Sequence, residues 1–175
     1  MSFGDLPFGL REVRLKPYNA DGTLGAAVAL PNIQTFSFED KSSFEKLEGD
    51  DTIVAIGEKD STTSWDLEAG GISLEAYAVL SGVSVVTAGV TPNQTKTITK
   101  NKDTKLPYFL VEGRAISESG GDIEIRVFKC KASSMPKGEL KGGQFYITKC
   151  SGDAVPDSTG KVWEMKQKET AAALV

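Results

Sequence analysis

The chain has 175 residues, 39% of them hydrophobic and 25% charged, with a net charge of −4 and two cysteines. This length suits a single domain, residues 1–175, that buries roughly 70% of its unfolded surface on folding. The negative charge argues against nucleic acid as a tightly held ligand, because such binding depends on clustered lysine and arginine.

The sequence shows none of the usual signals for export or membrane insertion. No positively charged start precedes an apolar run, and no apolar stretch approaches the roughly 20 residues that span a bilayer. We therefore expect folding in a cytoplasm, without membrane anchoring. In that reducing compartment Cys130 and Cys150 are expected to be buried thiols, although a bridge between their predicted strands stays open as the alternative.

The first nine residues are predicted to form an arm, because they contain two glycines and a proline and show no hydrophobic period. Its apolar side chains, Phe3, Leu6 and Phe8, should pack on this domain or on a neighbour rather than in solvent.

Residues 10–18 and 23–38 alternate apolar and polar side chains, as half-buried strands do. The charged passage that follows predicts a long inter-strand loop region at about 40–64, which includes one short strand at 52–57. Long loops on compact domains are usually functional, and a charged one indicates a contact surface.

A change of hydrophobic period marks the centre of the chain. Trp65 begins an alternating strand pattern, and after a glycine pair the period becomes that of a short helix. Ser73 is the predicted N-cap and Gly82 the left-handed residue that ends the helix. A helix this short is stable only when packed, so we expect it to cover a sheet.

The remaining sequence alternates strand patterns with turns rich in glycine, asparagine and serine. This succession is typical of antiparallel strands joined by hairpins. After the helix, Val83, Val85 and Val86 lead into a turn at 91–94, and the predicted strands lie at 95–100, 106–117, 123–131, 144–150 and 161–168.

Catalytic and metal sites are disfavoured by the residue types present. There is no histidine, which removes the commonest general base and the usual zinc ligands. No glycine-rich phosphate loop occurs, and the carboxylate pairs Asp50/Asp51 and Asp66/Glu68 are best interpreted as surface charge. We predict a protein that is not an enzyme and needs no cofactor.

Several segments, taken in order, resemble the bacteriophage major tail protein (tail tube protein) family. None is diagnostic alone, and the ordered combination carries the resemblance. The segments are 45–51 (EKLEGDD), 65–82 (WDLEAGGISLEAYAVLSG), 108–117, 129–132, 143–147 and 154–157.

The resemblance implies a mainly β fold, an antiparallel β-sandwich or part-barrel flanked by one short α-helix. It also implies a structural virion protein, made in the bacterial host cytoplasm, that assembles as stacked hexameric rings forming a channel for genome ejection. Tape measure protein and tail terminator are the implied partners, and double-stranded DNA would pass through without tight binding. By this analogy the loop region and the N-terminal arm contact the next ring.

A channel with excess carboxylates would repel phosphate groups and let DNA slide. We therefore predict that acidic residues of the 40–64 region and of the strand after it face the channel or the contacts between rings. A ring structure with a net basic channel would contradict this prediction. The candidates are Glu45, Glu48, Asp50, Asp51, Asp66 and Glu68.

Two alternatives stay open. A tube protein of a contractile injection or type VI secretion system would share the fold and carry effectors instead of DNA. A monomeric carbohydrate-binding β-sandwich would need aromatic side chains exposed in a row, whereas Trp65 and Trp163 alternate with apolar neighbours and are predicted to be core residues.

Overall fold

The computed structural model describes residue 3 and residues 5–49, 52–71 and 73–174. Strands dominate it, and there is one short helix, so the prediction of a mainly β fold is confirmed. The elements are β1 (Pro7–Pro17), β2 (Val28–Ala29), β3 (Ile33–Gly49), β4 (Thr52–Gly70), α1 (Leu74–Ser81), β5 (Val85–Ala88), β6 (Thr95–Ile98), β7 (Tyr108–Ser117), β8 (Asp122–Ala132), β9 (Ile147–Ala154) and β10 (Trp163–Lys168).

Eight strands form one antiparallel sheet that is not closed into a barrel. Its order is β2-β1-β7-β8-β9-β4-β3, and β10 pairs with β8 beside this path. β8 is shared by two layers, because residues 122–127 pair with β10 whereas residues 130–132 pair with β9. Between these halves Lys129 has a positive φ of 43°. The strand turns there, and β1, β7 and β10 come to lie over β3, β4 and β9.

The core fills the space between the two layers. Its largest members come from alternate positions of the facing strands, as the period of two requires. Trp65 packs edge-on against Phe109 with ring centroids 5.4 Å apart. Trp163 was also predicted to be a core residue, but it is 41% exposed. Its ring lies 5.4 Å from that of Phe38 at the edge of the core. The central core side chains are Val13, Leu15, Leu67, Phe109, Val111, Val127 and Cys130.

The helix covers one end of this core with the caps expected from the sequence. The Ser73 side chain accepts a hydrogen bond from the backbone of Ala76, and Gly82 adopts the left-handed conformation with φ 74°. Ala76 and Leu80 are buried against the sheet. The helix therefore has the packing that its short length requires.

Replacing Ser73 by alanine should lower the free energy of unfolding by about 1 kcal/mol, because the amide of Ala76 loses its acceptor at the helix N-terminus. Urea denaturation followed by circular dichroism measures this. Ser84→Ala, at an exposed position just beyond the helix, is the control and should leave stability unchanged. Equal losses in both variants would contradict the capping role.

The segment predicted as a loop region at about 40–64 is instead a long β-hairpin. β3 and β4 pair from Ile33↔Ala69 to Gly49↔Thr52, with irregularities at Ser43/Phe44 and Leu47/Glu48. The short strand predicted at 52–57 is present, but the chain continues as strand through residues 58–60 instead of turning. Both faces of this part are exposed, so the alternation that marks a half-buried strand is missing from the sequence.

The outer face of β1, β7, β8 and β10 carries charges that alternate both across the strands and along them. Residues directly opposite each other have opposite charge in two successive rows. Such cross-strand pairs stabilise a sheet, whereas like charges would oppose pairing. The rows are Arg14, Glu112, Arg126 and Glu164, and then Glu12, Arg114, Glu124 and Lys166.

Two carboxylates of these rows are buried although they lie on the outer face. Glu112 is 1% exposed and Glu124 3%. Burial alone would raise the pKa of Glu124, but the hydrogen bond from Lys168 and the charge of Arg126 outweigh it and leave that pKa below its usual value. The C-terminal segment covers part of this face: Ala172 donates its amide to Asp122 at 2.9 Å.

Both cysteines are buried free thiols, as the sequence predicts. Burial raises the pKa of Cys150 to about 12 and raises that of Cys130 further. Only the thiolate reacts with alkylating agents. We expect iodoacetamide at pH 8 to leave the native protein unmodified and to label both residues in urea, as read by intact-mass spectrometry. Rapid labelling of the folded chain would contradict this burial.

Candidate functional surfaces

A polar sheet face is the first candidate surface. On β3, β4 and β9 the inward side chains belong to the core, and the outward ones are hydroxyl-bearing or charged. The register aligns the outward residues in three rows across the sheet. We call this surface the polar face. Its three rows are Thr35–Glu68–Lys149, Ser37–Asp66–Ser151 and Glu39–Ser64–Asp153.

The polar face carries more carboxylates than lysines. Glu68 pairs with Lys149 at 2.9 Å, and Glu39 pairs with Lys41, the next outward residue of β3, at 3.3 Å. Asp66 lies opposite serines in its row, whereas Asp153 lies opposite Lys131 of β8, and both carboxylates line a shallow cleft of about 480 Å³. The three rows therefore contain four carboxylates and one lysine and no apolar side chain.

The outer end of the β3–β4 hairpin is the second candidate surface. It comprises residues 44–49 and 52–58 and is called the hairpin tip below. Five large apolar side chains there are more than half exposed, the least of them at 51%. Isolated exposed apolar residues are common, but a cluster this dense on a thin hairpin is typical of an interaction site. These side chains are Phe44, Leu47, Ile53, Val54 and Ile56.

The N-terminal segment also exposes its apolar side chains. Phe3, Leu6 and Phe8 are 52%, 64% and 66% exposed. The backbone of Leu6 is nevertheless tied to the domain, since its amide donates to Ser117 and its carbonyl accepts from Glu118. The strand β1 begins at Pro7, so the predicted arm is shorter than residues 1–9. Its side chains do not pack on this domain, which leaves a neighbour as the remaining expectation.

The predicted acidic set does not form one cluster. Asp66 and Glu68 lie on the polar face, whereas Glu45 and Glu48 lie on the hairpin tip opposite Gly57 and Ile53. Asp50 and Asp51 lie outside the described residues. Whether any of them faces a channel stays a prediction.

A third surface, missed in the sequence, lies in the loop before β9. Lys137 and Lys149 exchange backbone hydrogen bonds of 2.7 Å and hold the loop against the sheet. The loop leaves Leu140 84% and Phe145 95% exposed. The sequence pattern that could have indicated this surface is a pair of apolar residues, Leu140 and Phe145, among lysines and glycines. By itself this pattern does not distinguish a contact surface from a turn.

Neither a cluster of potential metal ligands nor a helix that could span a membrane occurs in the part of the chain that the structure describes. Within the described ranges, no three histidine, cysteine, aspartate or glutamate residues come together to hold a metal ion. The same part of the chain contains no helix long and apolar enough to cross a membrane.

Neither a protein-family model nor a curated protein sequence matches this chain. Among solved structures, it is similar to a chain in the cryo-EM structure of the anti-feeding prophage baseplate, 6-fold symmetrised. The two are 13% identical with a TM-score of 0.47, and the match covers 94% of this chain and 97% of the other. At this distance the likeness assigns no function to the present chain.

Proposed function

We propose that this protein is a structural subunit of a bacteriophage tail tube that assembles with copies of itself into stacked hexameric rings. One observation carries the proposal: the hairpin tip extends beyond the core and presents apolar side chains that no described part of the chain covers. Burying each such side chain contributes about 1.5–3 kcal/mol. A contact with another subunit would recover this free energy.

The open sheet supports the same function. Among the described strands β3 pairs with β4 alone, so its other edge is unpaired along most of its length. Free edges of this kind lead to aggregation unless another chain pairs with them, and closure of a ring removes them. A subunit that joins its neighbours through strand edges would pair these edges between chains, and this pairing would drive assembly.

The polar face supplies a suitable channel lining. Its hydroxyl groups and excess carboxylates would repel phosphate groups and leave few contacts to retain DNA during passage. In this arrangement Asp66 and Glu68 face the channel, while Glu45 and Glu48 belong to the contacts between rings. Exposed Phe3, Leu6 and Phe8 would be covered in the same assembly.

The exposed aromatic rings do not favour a carbohydrate-binding module. Among the described residues they are spread over five parts of the chain: Phe3 and Phe8 near the N-terminus, Phe44 on the hairpin, Tyr108 at the start of β7, Phe145 in a loop and Trp163 on β10. Stacking on sugar rings requires neighbouring rings on one surface. A tube that carries effectors instead of DNA would be distinguished by the cargo of purified particles.

Electron microscopy and native mass spectrometry of the full chain over a concentration series test the proposed function. We expect sixfold rings or tubes with a central hole. Ile56→Asp should abolish them, because it places a charge within the apolar hairpin tip. Val86→Asp changes a valine of similar exposure on β5 and should assemble normally. A chain that stays monomeric throughout the series, or equal assembly of both variants, would overturn the proposal.

A further inference from the structure

The hairpin tip combines its apolar side chains with a net negative charge. Its described residues include three glutamates and one lysine. Glu45 and Glu48 directly follow Phe44 and Leu47 along β3. A partner for this tip must therefore supply both apolar contact area and positive charge.

The loop before β9 forms a groove with matching properties. The groove has a volume of about 460 Å³ and is lined by three lysines, one glutamate, Phe145 and Ile147. Glu139 pairs with Lys141 at 2.9 Å and Glu68 with Lys149 at 2.9 Å, so two of the three lysines have a carboxylate beside them and Lys137 supplies the excess positive charge. We call this the lysine groove; its lysines are Lys137, Lys141 and Lys149.

These two surfaces lie at opposite ends of the same strand. Thr52 at the hairpin tip begins β4, and Gly70 at its other end pairs with Ile147 of the lysine groove. β4 has 19 residues, so its ends would be roughly 60 Å apart in a straight strand. The tip of one molecule thus cannot reach the groove of the same molecule.

We infer that the hairpin tip of one copy docks in the lysine groove of another copy. Carboxylates of the tip meet the lysines, and its apolar side chains cover Phe145 and Leu140, which are otherwise almost fully exposed. Surfaces of opposite charge at opposite ends give a head-to-tail contact that repeats without limit along one direction. This inference rests on the proposed function and specifies which surface receives the hairpin.

A photo-crosslinking residue at position 47 tests the docking in assembled particles. We expect crosslinks from this position to a peptide containing residues 137–149 of a different chain, identified by mass spectrometry. Crosslinks that form only elsewhere in normally assembled particles would overturn the inference and leave the proposed function standing. Absence of any assembly by the unmodified chain would overturn both.

Charge reversal gives an independent test. Lys137→Glu with Lys141→Glu should raise the critical concentration for assembly at least tenfold, whereas adding Glu45→Lys and Glu48→Lys should restore most of the loss. Lys100→Glu with Lys102→Glu, at exposed positions after β6, is the matched control and should assemble as the unmodified chain does. An equal effect in groove and control variants, or no rescue, contradicts the docking.

Discussion

Replacing Glu112 by glutamine is expected to lower the free energy of unfolding by about 3 kcal/mol, since removing one charge of a buried pair leaves the other poorly compensated. The Glu112 side chain is 1% exposed. It lies 3.1 Å from the Nζ of Lys16 and 3.2 Å from the Nε of Arg126. Glutamine has nearly the same shape, so the loss reports charge rather than packing. Urea denaturation followed by circular dichroism measures it.

Glu164→Gln is the matched control for this substitution. Glu164 stands in the same row, opposite Arg126, but its side chain is 36% exposed and pairs with Lys161. An exposed pair of this kind contributes about 0–1 kcal/mol. Losses of similar size in the two variants would show that burial of Glu112 does not determine the effect.

Replacing Gly152 by alanine should destabilise the fold by about 3 kcal/mol, the upper end of the usual range for overpacking. Gly152 lies on β9 between Trp65 of β4 and Ala132 of β8. An added Cβ would overlap the carbonyl oxygen of Lys131 and lie 2.8 Å from the Cα of Ala132. Both are backbone atoms, so no change of rotamer relieves the overlap, and β8 and β9 would have to separate.

The measurement compares the midpoint of thermal unfolding of Gly152→Ala with that of Gly142→Ala. A Cβ at Gly142 meets nothing within 4 Å, so this variant should remain within about 0.5 kcal/mol of the unmodified chain. A folded Gly152→Ala protein of unchanged midpoint would contradict the close pairing of β8 with β9.

Local chemistry determined much of the fold from the sequence alone. Ser73 and Gly82 mark the helix ends because a side-chain acceptor and a left-handed residue act within a few residues of the backbone groups that they satisfy. Alternation likewise placed Asp66 and Glu68 on one face of a strand and Trp65 on the other. These interactions do not depend on distant parts of the chain.

Burial of charge depended on the tertiary structure. Glu124 and Arg126 alternate with apolar residues on β8, which indicates that they share a face, but alternation does not show what covers that face. The C-terminal segment lies over part of it, with the amides of Ala172 and Leu174 donating to Asp122 and Glu12, residues far away in sequence. Burial of Glu112 and Asp122 therefore follows only once the strands are paired.

The hairpin and its relation to the lysine groove were also decided by tertiary structure. An exposed strand has no buried face and therefore shows no alternation of apolar and polar residues. For this reason the sequence of residues 40–64 predicts a charged loop, although β3 and β4 pair through this region. The opposite positions of the hairpin tip and Phe145 depend on the register of β9 against β4. The sequence by itself determined the helix and the half-buried strands, because their periodicity is local, whereas the pairing of strands decided that residues 40–64 form a hairpin and which surfaces a neighbouring subunit would meet.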